Sequence, residues 1–107
     1  LVWSEATGYS FYPFGPEYYS VKAAAAELLA DEVVISELQA EPWFPELDEE
    51  YSVEQMYRAF DEQALRDNVR FATETGIDEI YLWGAEWWYY MKENGEARHW
   101  EVAKDIF

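Results

Sequence analysis

The sequence predicts an α/β fold in which three strands alternate with three helices and run parallel to one another. Two short runs of β-branched and aromatic residues, at 33–38 and 80–83, have the composition of buried strands. Segments with helical periodicity or high helix propensity separate and follow them. The resulting order, βαβαβα, is typical of parallel strands joined by right-handed helical crossovers.

The first half of the chain predicts a strand end, a loop, a helix and a buried strand. Residues 1–4 have the pattern of a strand end, and two prolines, two glycines and four aromatic residues between 8 and 16 indicate a loop. A helix is predicted over 16–30, because four alanines and two leucines favour it and a proline suits its first turn. The unalternated valines and isoleucine of 33–38 then predict a strand covered on both faces.

The second half predicts a long helix, another buried strand and a final helix. Ser52 and Gln55 have the spacing of a capping box, and an apolar stripe continues to residue 75 with a small break near Asp61. The remaining predicted elements are a strand at 80–83, an aromatic loop at 84–90 and a helix at 96–106.

Three parallel strands are too few to cover themselves. Helices on one side of the sheet leave its other face exposed and its two edge strands unpaired. The strands, however, have the composition of strands that are buried on both faces. A complete (β/α)8 TIM barrel needs about 250 residues, so 107 residues correspond to its last three βα units. We therefore expect a single partial barrel domain over 1–107, and we expect the isolated chain to self-associate through its open strand edges.

Composition excludes several classes of function. Seven Lys and Arg against 23 Asp and Glu give a net charge of −16, so neither nucleic acid nor an anionic membrane surface is an expected partner. No apolar run approaches the roughly 20 residues that span a bilayer. Cysteine is absent, which leaves carboxylates and His99 as the possible metal ligands, and we expect no metal or other cofactor. His99, on the last helix, is expected at the surface or in an interface.

Two short motifs resemble a known family. Residues 35–39, Ile-Ser-Glu-Leu-Gln, and 81–84, Tyr-Leu-Trp-Gly, look like the seventh and eighth strands of clan A glycoside hydrolases, the cellulase-like and β-galactosidase-like (β/α)8 enzymes. The longer stretches 36–43, Ser-Glu-Leu-Gln-Ala-Glu-Pro-Trp, and 82–88, Leu-Trp-Gly-Ala-Glu-Trp-Trp, also resemble uncharacterised bacterial proteins assigned to that superfamily. The resemblance implies the C-terminal part of a retaining glycosidase that acts on an oligosaccharide or glycoside, with Glu37 as nucleophile and Trp83 as sugar platform. The family takes its acid/base Glu from an Asn-Glu motif on strand four, which this sequence lacks, so that partner is expected outside the chain.

The chemistry of retaining hydrolysis explains why a Glu belongs at such a strand end. The reaction uses two carboxyl groups across the glycosidic bond, about 5 to 5.5 Å apart. Glu37 stands near the C-terminal end of a predicted buried strand, where barrel enzymes build their sites. The alternative is a surface Glu that pairs with an arginine or caps a loop.

The other candidates lie in or just beyond the two strand ends. Glu41 and Glu86 suit hydrogen bonds to sugar hydroxyls, and Gln39 suits the orientation of one, with solvated surface positions or loop hydrogen bonds as the alternatives. Indole faces suit stacking on a pyranose, with core packing as the alternative. The aromatic residues considered for this role are Trp43, Trp83, Trp87, Trp88, Tyr89 and Tyr90.

Three classes of function remain open on the sequence alone. The first is a retaining glycosidase whose isolated 107-residue chain is expected to be inactive for want of its acid/base partner. The second is a carbohydrate-binding module without catalysis. The third is an acidic α/β module whose aromatic residues form a protein interface.

Overall fold

A computed structural model of the chain describes residues 2–4, 8–10, 13–44 and 51–107, with side chains described in the last two of these ranges. The elements in chain order are β1 (Val2–Ser4), β2 (Gly8–Ser10), α1 (Pro16–Ala26), β3 (Val34–Gln39), α2 (Val53–Ala59), α3 (Glu62–Glu74), β4 (Glu79–Trp83), α4 (Ala85–Glu93) and α5 (Arg98–Ile106). None of the helices in these ranges is long and apolar enough to cross a membrane.

The strands form two separate pairs. β1 and β2 are antiparallel, with Trp3 opposite Tyr9, whereas β3 and β4 are parallel, with Gln39 opposite Trp83. The parallel pairing of the last two predicted strands is therefore confirmed. The prediction of three adjacent parallel strands, and with it three βα units of a TIM barrel, is wrong, because the first strand pairs with a stretch predicted as a loop. Leu1, the first residue of that predicted strand, lies outside the described residues.

The reason for this error is the length of the first two strands. Each contains three residues, too few to show a period in the sequence. An antiparallel pair needs only a short connection, so two strands close together in the chain meet directly without the crossover helix that a parallel pair requires.

The long helix predicted over 52–75 is two helices, and the predicted break near Asp61 is confirmed. Ser52 and Gln55 form the predicted capping box at the start of α2. Asp61 is the N-cap of α3, and its carboxylate accepts a hydrogen bond from the amide of Ala64 at 2.8 Å. At the other two predicted helices, α1 ends at Ala26 and not at residue 30, and α5 begins at Arg98.

The prediction of an aromatic loop over 84–90 is wrong, because these residues open the helix α4. Gly84 is the residue before the helix and has a φ of +118°. Trp87, Trp88 and Met91 are buried, and Met91 follows the two tryptophans at the spacings of four and three that share a helical face. The two tyrosines between them face solvent, so the run of aromatic residues is an amphipathic helix.

The hydrophobic core lies among α2, α3, α4 and α5, beside the C-terminal end of the β3–β4 pair. Its buried members are Ala40, Met56, Phe60, Leu65, Trp87, Trp88, Met91, Val102 and Ala103. Leu82 of β4 packs against this cluster, whereas its neighbours Tyr81 and Trp83 are 54% and 39% exposed. The pair is therefore covered on one face only, and the prediction of strands covered on both faces is wrong. Self-association of the isolated chain stays a prediction.

Candidate functional site

A groove of about 330 Å³ lies at the C-terminal ends of β3 and β4. The described residues that line it are Glu37, Gln39, Trp43 and Trp83. Each of these was singled out from the sequence, and the structure places their side chains around one space. The groove therefore brings together one carboxylate, one amide and two indoles.

Glu37 lies at a β-bulge in β3. The register of the β3–β4 pair shifts between Ile35 and Leu38, so that Ser36 and Glu37 together lie opposite a single residue of β4, Tyr81. Such a bulge changes the direction of a side chain relative to strict alternation and is common next to active sites. Glu37 is exposed, and it borders both the groove and a second cavity of about 440 Å³ that reaches α1 and α3.

Hydrogen bonds from neighbouring elements hold the end of β3 in place. The amide of Ala40 donates to the carbonyl of Trp83 at 2.9 Å, and the indole of Trp88 donates to the carbonyl of Ala40 at 2.7 Å. The side-chain amide of Asn68 in α3 donates to the backbone carbonyl of Gln39 at 2.8 Å. The side-chain amide of Gln39 donates to the backbone carbonyl of Glu41 at 2.9 Å. The groove wall is thus built on a backbone tied to β4, α3 and α4.

The two indoles of the groove are large exposed aromatic surfaces at the strand ends. Trp43 is 55% exposed in the loop after β3, and Trp83 is the last residue of β4. Gln39 lies opposite Trp83 in the parallel register, so the two side chains share one face of the strand pair. Flat apolar faces beside a polar group are the combination that binds the apolar side of a sugar ring.

Glu41 and Glu86 form a carboxyl pair next to the groove but are absent from its described lining. Glu41 is half-buried against Gly84, and Glu86 is exposed in the first turn of α4. Burial, and then the negative charge of Glu86, raise the pKa of the Glu41 carboxyl above its usual value. No ion pair found in the described ranges involves either residue.

Trp87 does not reach the groove, which corrects its assignment as a substrate-binding residue. Its side chain is buried in the core, where its ring meets the ring of His99 edge to face at 4.6 Å. A buried indole cannot stack on a sugar. The sequence placed it in a loop, and the helical period of α4 is the signal that separates Trp87 from the exposed Trp83.

His99 is fully buried, at 0% exposure, so the expectation of a surface or interface histidine is wrong. Its Nε2–H donates to the carbonyl of Phe60 at 2.8 Å, since a carbonyl oxygen only accepts. Its Nδ1 has no hydrogen-bond partner among the residues described. The ring thus provides a hydrogen-bond donor for the carbonyl of the residue that ends α2, at the break between α2 and α3.

Burial of His99 predicts a pH dependence of stability. Desolvation lowers the pKa of this imidazole below 6.5, although the hydrogen bond to the Phe60 carbonyl partly opposes the shift. The unfolded chain therefore binds a proton that the folded chain does not. The contribution of His99 is fully present above pH ~6.5 and is lost as the pH falls toward the lowered pKa, by at most about 1.4 kcal/mol per pH unit.

The measurement is the free energy of unfolding of the wild type and of His99→Gln between pH 7.5 and 5. The glutamine keeps a hydrogen-bond donor but does not titrate, and the carboxylates titrate in both proteins. We expect the difference between the two free energies to shrink as the pH falls. A difference that is constant with pH would contradict the assignment.

Among the described residues, no group of three or more His, Asp or Glu side chains is placed to hold a metal ion. No protein family model matches the chain, and neither a curated protein nor a solved structure matches it. The geometry of the groove therefore carries the functional argument.

Proposed function

We propose that the groove binds an oligosaccharide or glycoside, and that Glu37 is the nucleophile of a retaining glycoside hydrolase in the protein translated from the complete reading frame. The observation that carries the proposal is the shared groove of Glu37, Gln39, Trp43 and Trp83. Two stretches far apart in the chain, 36–43 and 82–88, supply these residues, and the resemblance to clan A enzymes implies a sugar site that contains Glu37 and Trp83. The proposal concerns the site and does not depend on a complete barrel within this chain.

Each groove residue has a distinct role in this proposal. Trp83 stacks beneath the apolar face of the sugar, and Trp43 covers the ring from the loop side. Gln39 donates to or accepts from a ring hydroxyl. A carboxylate oxygen of Glu37 attacks the anomeric carbon, the glycosidic bond breaks as the leaving oxygen takes a proton, and water then hydrolyses the glycosyl ester.

The proton comes from a second carboxyl group, and the described lining of the groove contains none besides Glu37. Burial and the neighbouring Glu86 raise the pKa of Glu41 above its usual value, but Glu41 does not line the groove. The resemblance to clan A enzymes places the donor instead on an Asn-Glu motif that this sequence lacks.

A second candidate function is carbohydrate binding without hydrolysis. The observation that favours it is that Glu37 supplies the one carboxyl group in the described lining of the groove, whereas hydrolysis needs two. In a binding module Glu37 serves as a hydrogen-bond acceptor for sugar hydroxyls. The two functions share the groove and differ in whether Glu37 forms a covalent bond.

Sugar binding is tested by isothermal titration of the chain with a panel of oligosaccharides. We expect Trp83→Ala to weaken the binding of a matching oligosaccharide at least tenfold, because a central aromatic contact contributes about 1.4 kcal/mol or more. Tyr90→Ala is the matched control: Tyr90 is also a large exposed aromatic residue, but it lies on α4 and does not line the groove.

Equal losses in Trp83→Ala and Tyr90→Ala would contradict the assignment of the groove. Failure of every oligosaccharide in the panel to bind would reject both carbohydrate functions. That result would favour the third class of function, in which the exposed aromatic residues contact another protein.

A further inference from the structure

Positive charge is absent from the strand end that forms the groove. The chain has seven Lys and Arg residues, and every one of them lies on a helix. In chain order they are Lys22, Arg58, Arg66, Arg70, Lys92, Arg98 and Lys104. Six of these form ion pairs with a carboxylate of α2–α5 or of the residues between them. None of them lines the groove.

Negative charge is concentrated in the same place. Glu37 is the charged residue of β3, and Glu41 and Glu86 follow shortly after the C-terminal ends of β3 and β4. The charged residue of β4, Glu79, begins that strand at the opposite end of the pair. No ion pair within the described parts of the chain neutralises the carboxylate of Glu37. The groove therefore presents an uncompensated anion to its ligand.

The two tryptophans add to the preference for a cation. An ammonium group over the face of an indole is attracted by the negative charge of the ring face, and tryptophan is the most favourable residue for this contact. Trp43 and Trp83 line the groove together with the Glu37 carboxylate. Two indoles and one carboxylate around a single space are complementary to an organic cation, whereas an acidic sugar or a phosphate would meet like charge.

We propose that the ligand of this groove carries a positively charged amine and, given the carbohydrate function proposed above, that it is an oligosaccharide of amino sugars whose amines are free. The ammonium pairs with the Glu37 carboxylate while the ring stacks on Trp83. The negative charge of Glu37 would also repel the carboxylate of an acidic sugar, so we expect the groove to bind acidic sugars weakly.

The experiment is isothermal titration at low salt with three β-1,4-linked oligosaccharides of equal length: glucosamine, N-acetylglucosamine and glucose. We expect the free amine to bind at least tenfold more tightly than the two neutral sugars. This preference should fall as sodium chloride is added, because salt screens the ion pair at the exposed groove. Glu37→Gln should remove most of it.

Glu32→Gln is the matched control, because it removes the same unit of charge just before β3, away from the groove lining. General attraction of a cation to a chain of net charge −16 would respond equally to both substitutions, and that result would overturn the inference. Equal binding of the charged and neutral sugars would also overturn it and leave the carbohydrate proposal standing.

A fourth ligand, tetramethylammonium, separates the two proposals. Binding that requires Glu37 for this cation, with no binding of any of the three sugars, would keep the inference of a cationic ligand and reject the carbohydrate function. Absence of binding for all four ligands would reject both.

Discussion

Glu37→Gln is expected to lower kcat for glycoside hydrolysis by a factor on the order of 10³ or more, because the amide keeps the shape of the side chain but cannot form the glycosyl ester. The fold should be unchanged, since Glu37 is exposed. The measurement is steady-state hydrolysis of aryl glycosides by the protein from its complete reading frame. Reading kcat at saturating substrate separates the loss of chemistry from any weaker binding of a cationic sugar.

The control for this prediction is Glu32→Gln, which changes an exposed Glu that precedes β3. We expect this variant to turn over substrate at the wild-type rate. Near-normal kcat in Glu37→Gln would end the assignment of the nucleophile. If neutral oligosaccharides also still bound that variant, hydrolysis would take place elsewhere in the protein and the groove would serve for binding alone.

The second large effect is expected at Gly84, where β4 ends and α4 begins. A Cβ at this position would lie 2.7 Å from the Cβ of Glu41 and 3.1 Å from the carbonyl carbon of Ala40. The φ of +118° is also a conformation that L side chains rarely adopt. We expect Gly84→Ala to lower the free energy of unfolding by roughly 2 to 4 kcal/mol, from backbone strain together with overpacking. Because the clash displaces the end of β3, sugar affinity should fall as well.

Gly76→Ala is the matched control for this effect. Gly76 has a φ of +74°, and an added Cβ there meets no atom within 4 Å, so that substitution introduces strain without a clash. We expect it to cost about 1 kcal/mol and to leave the groove intact. Denaturant unfolding and isothermal titration of both variants provide the comparison. Equal destabilisation of the two would show that contact with Glu41 and Ala40 does not matter.

Local patterns of the sequence predicted local structure well. The spacing of Ser52 and Gln55 predicted the capping box, and Asp61 marked the break between two helices. The β-branched run before Glu37 predicted a strand that pairs in parallel with the strand ending at Trp83. The capping box, the helix break and the strand itself depend on neighbours in the chain, so their signal is present in a short window. The parallel pairing followed from the helices between the two strands.

Three features were not predicted, because the chain near each of them gives no clear signal. The antiparallel pairing of β1 with β2 left no periodicity in two strands of three residues. His99 is polar and lies among the charged residues of α5, and its ring bonds to the Phe60 carbonyl 39 positions earlier. Trp83 and Trp87 both lie near the end of β4. Because α4 begins at Ala85, the side chain of Trp87 is buried in the core, whereas Trp83 precedes the helix and lines the groove.

The central claim, that Glu37 attacks a sugar, is tested most directly by trapping the glycosyl ester. The protein from the complete reading frame would be incubated with 5-fluoroglycosyl fluorides of glucosamine, glucose and galactose, which form the ester readily and release it slowly. Peptide mass spectrometry then locates the added sugar. We predict one glycosyl group on Glu37, and none in Glu37→Gln. A sugar attached to Glu86 or another residue, or turnover without any ester, would contradict the claim.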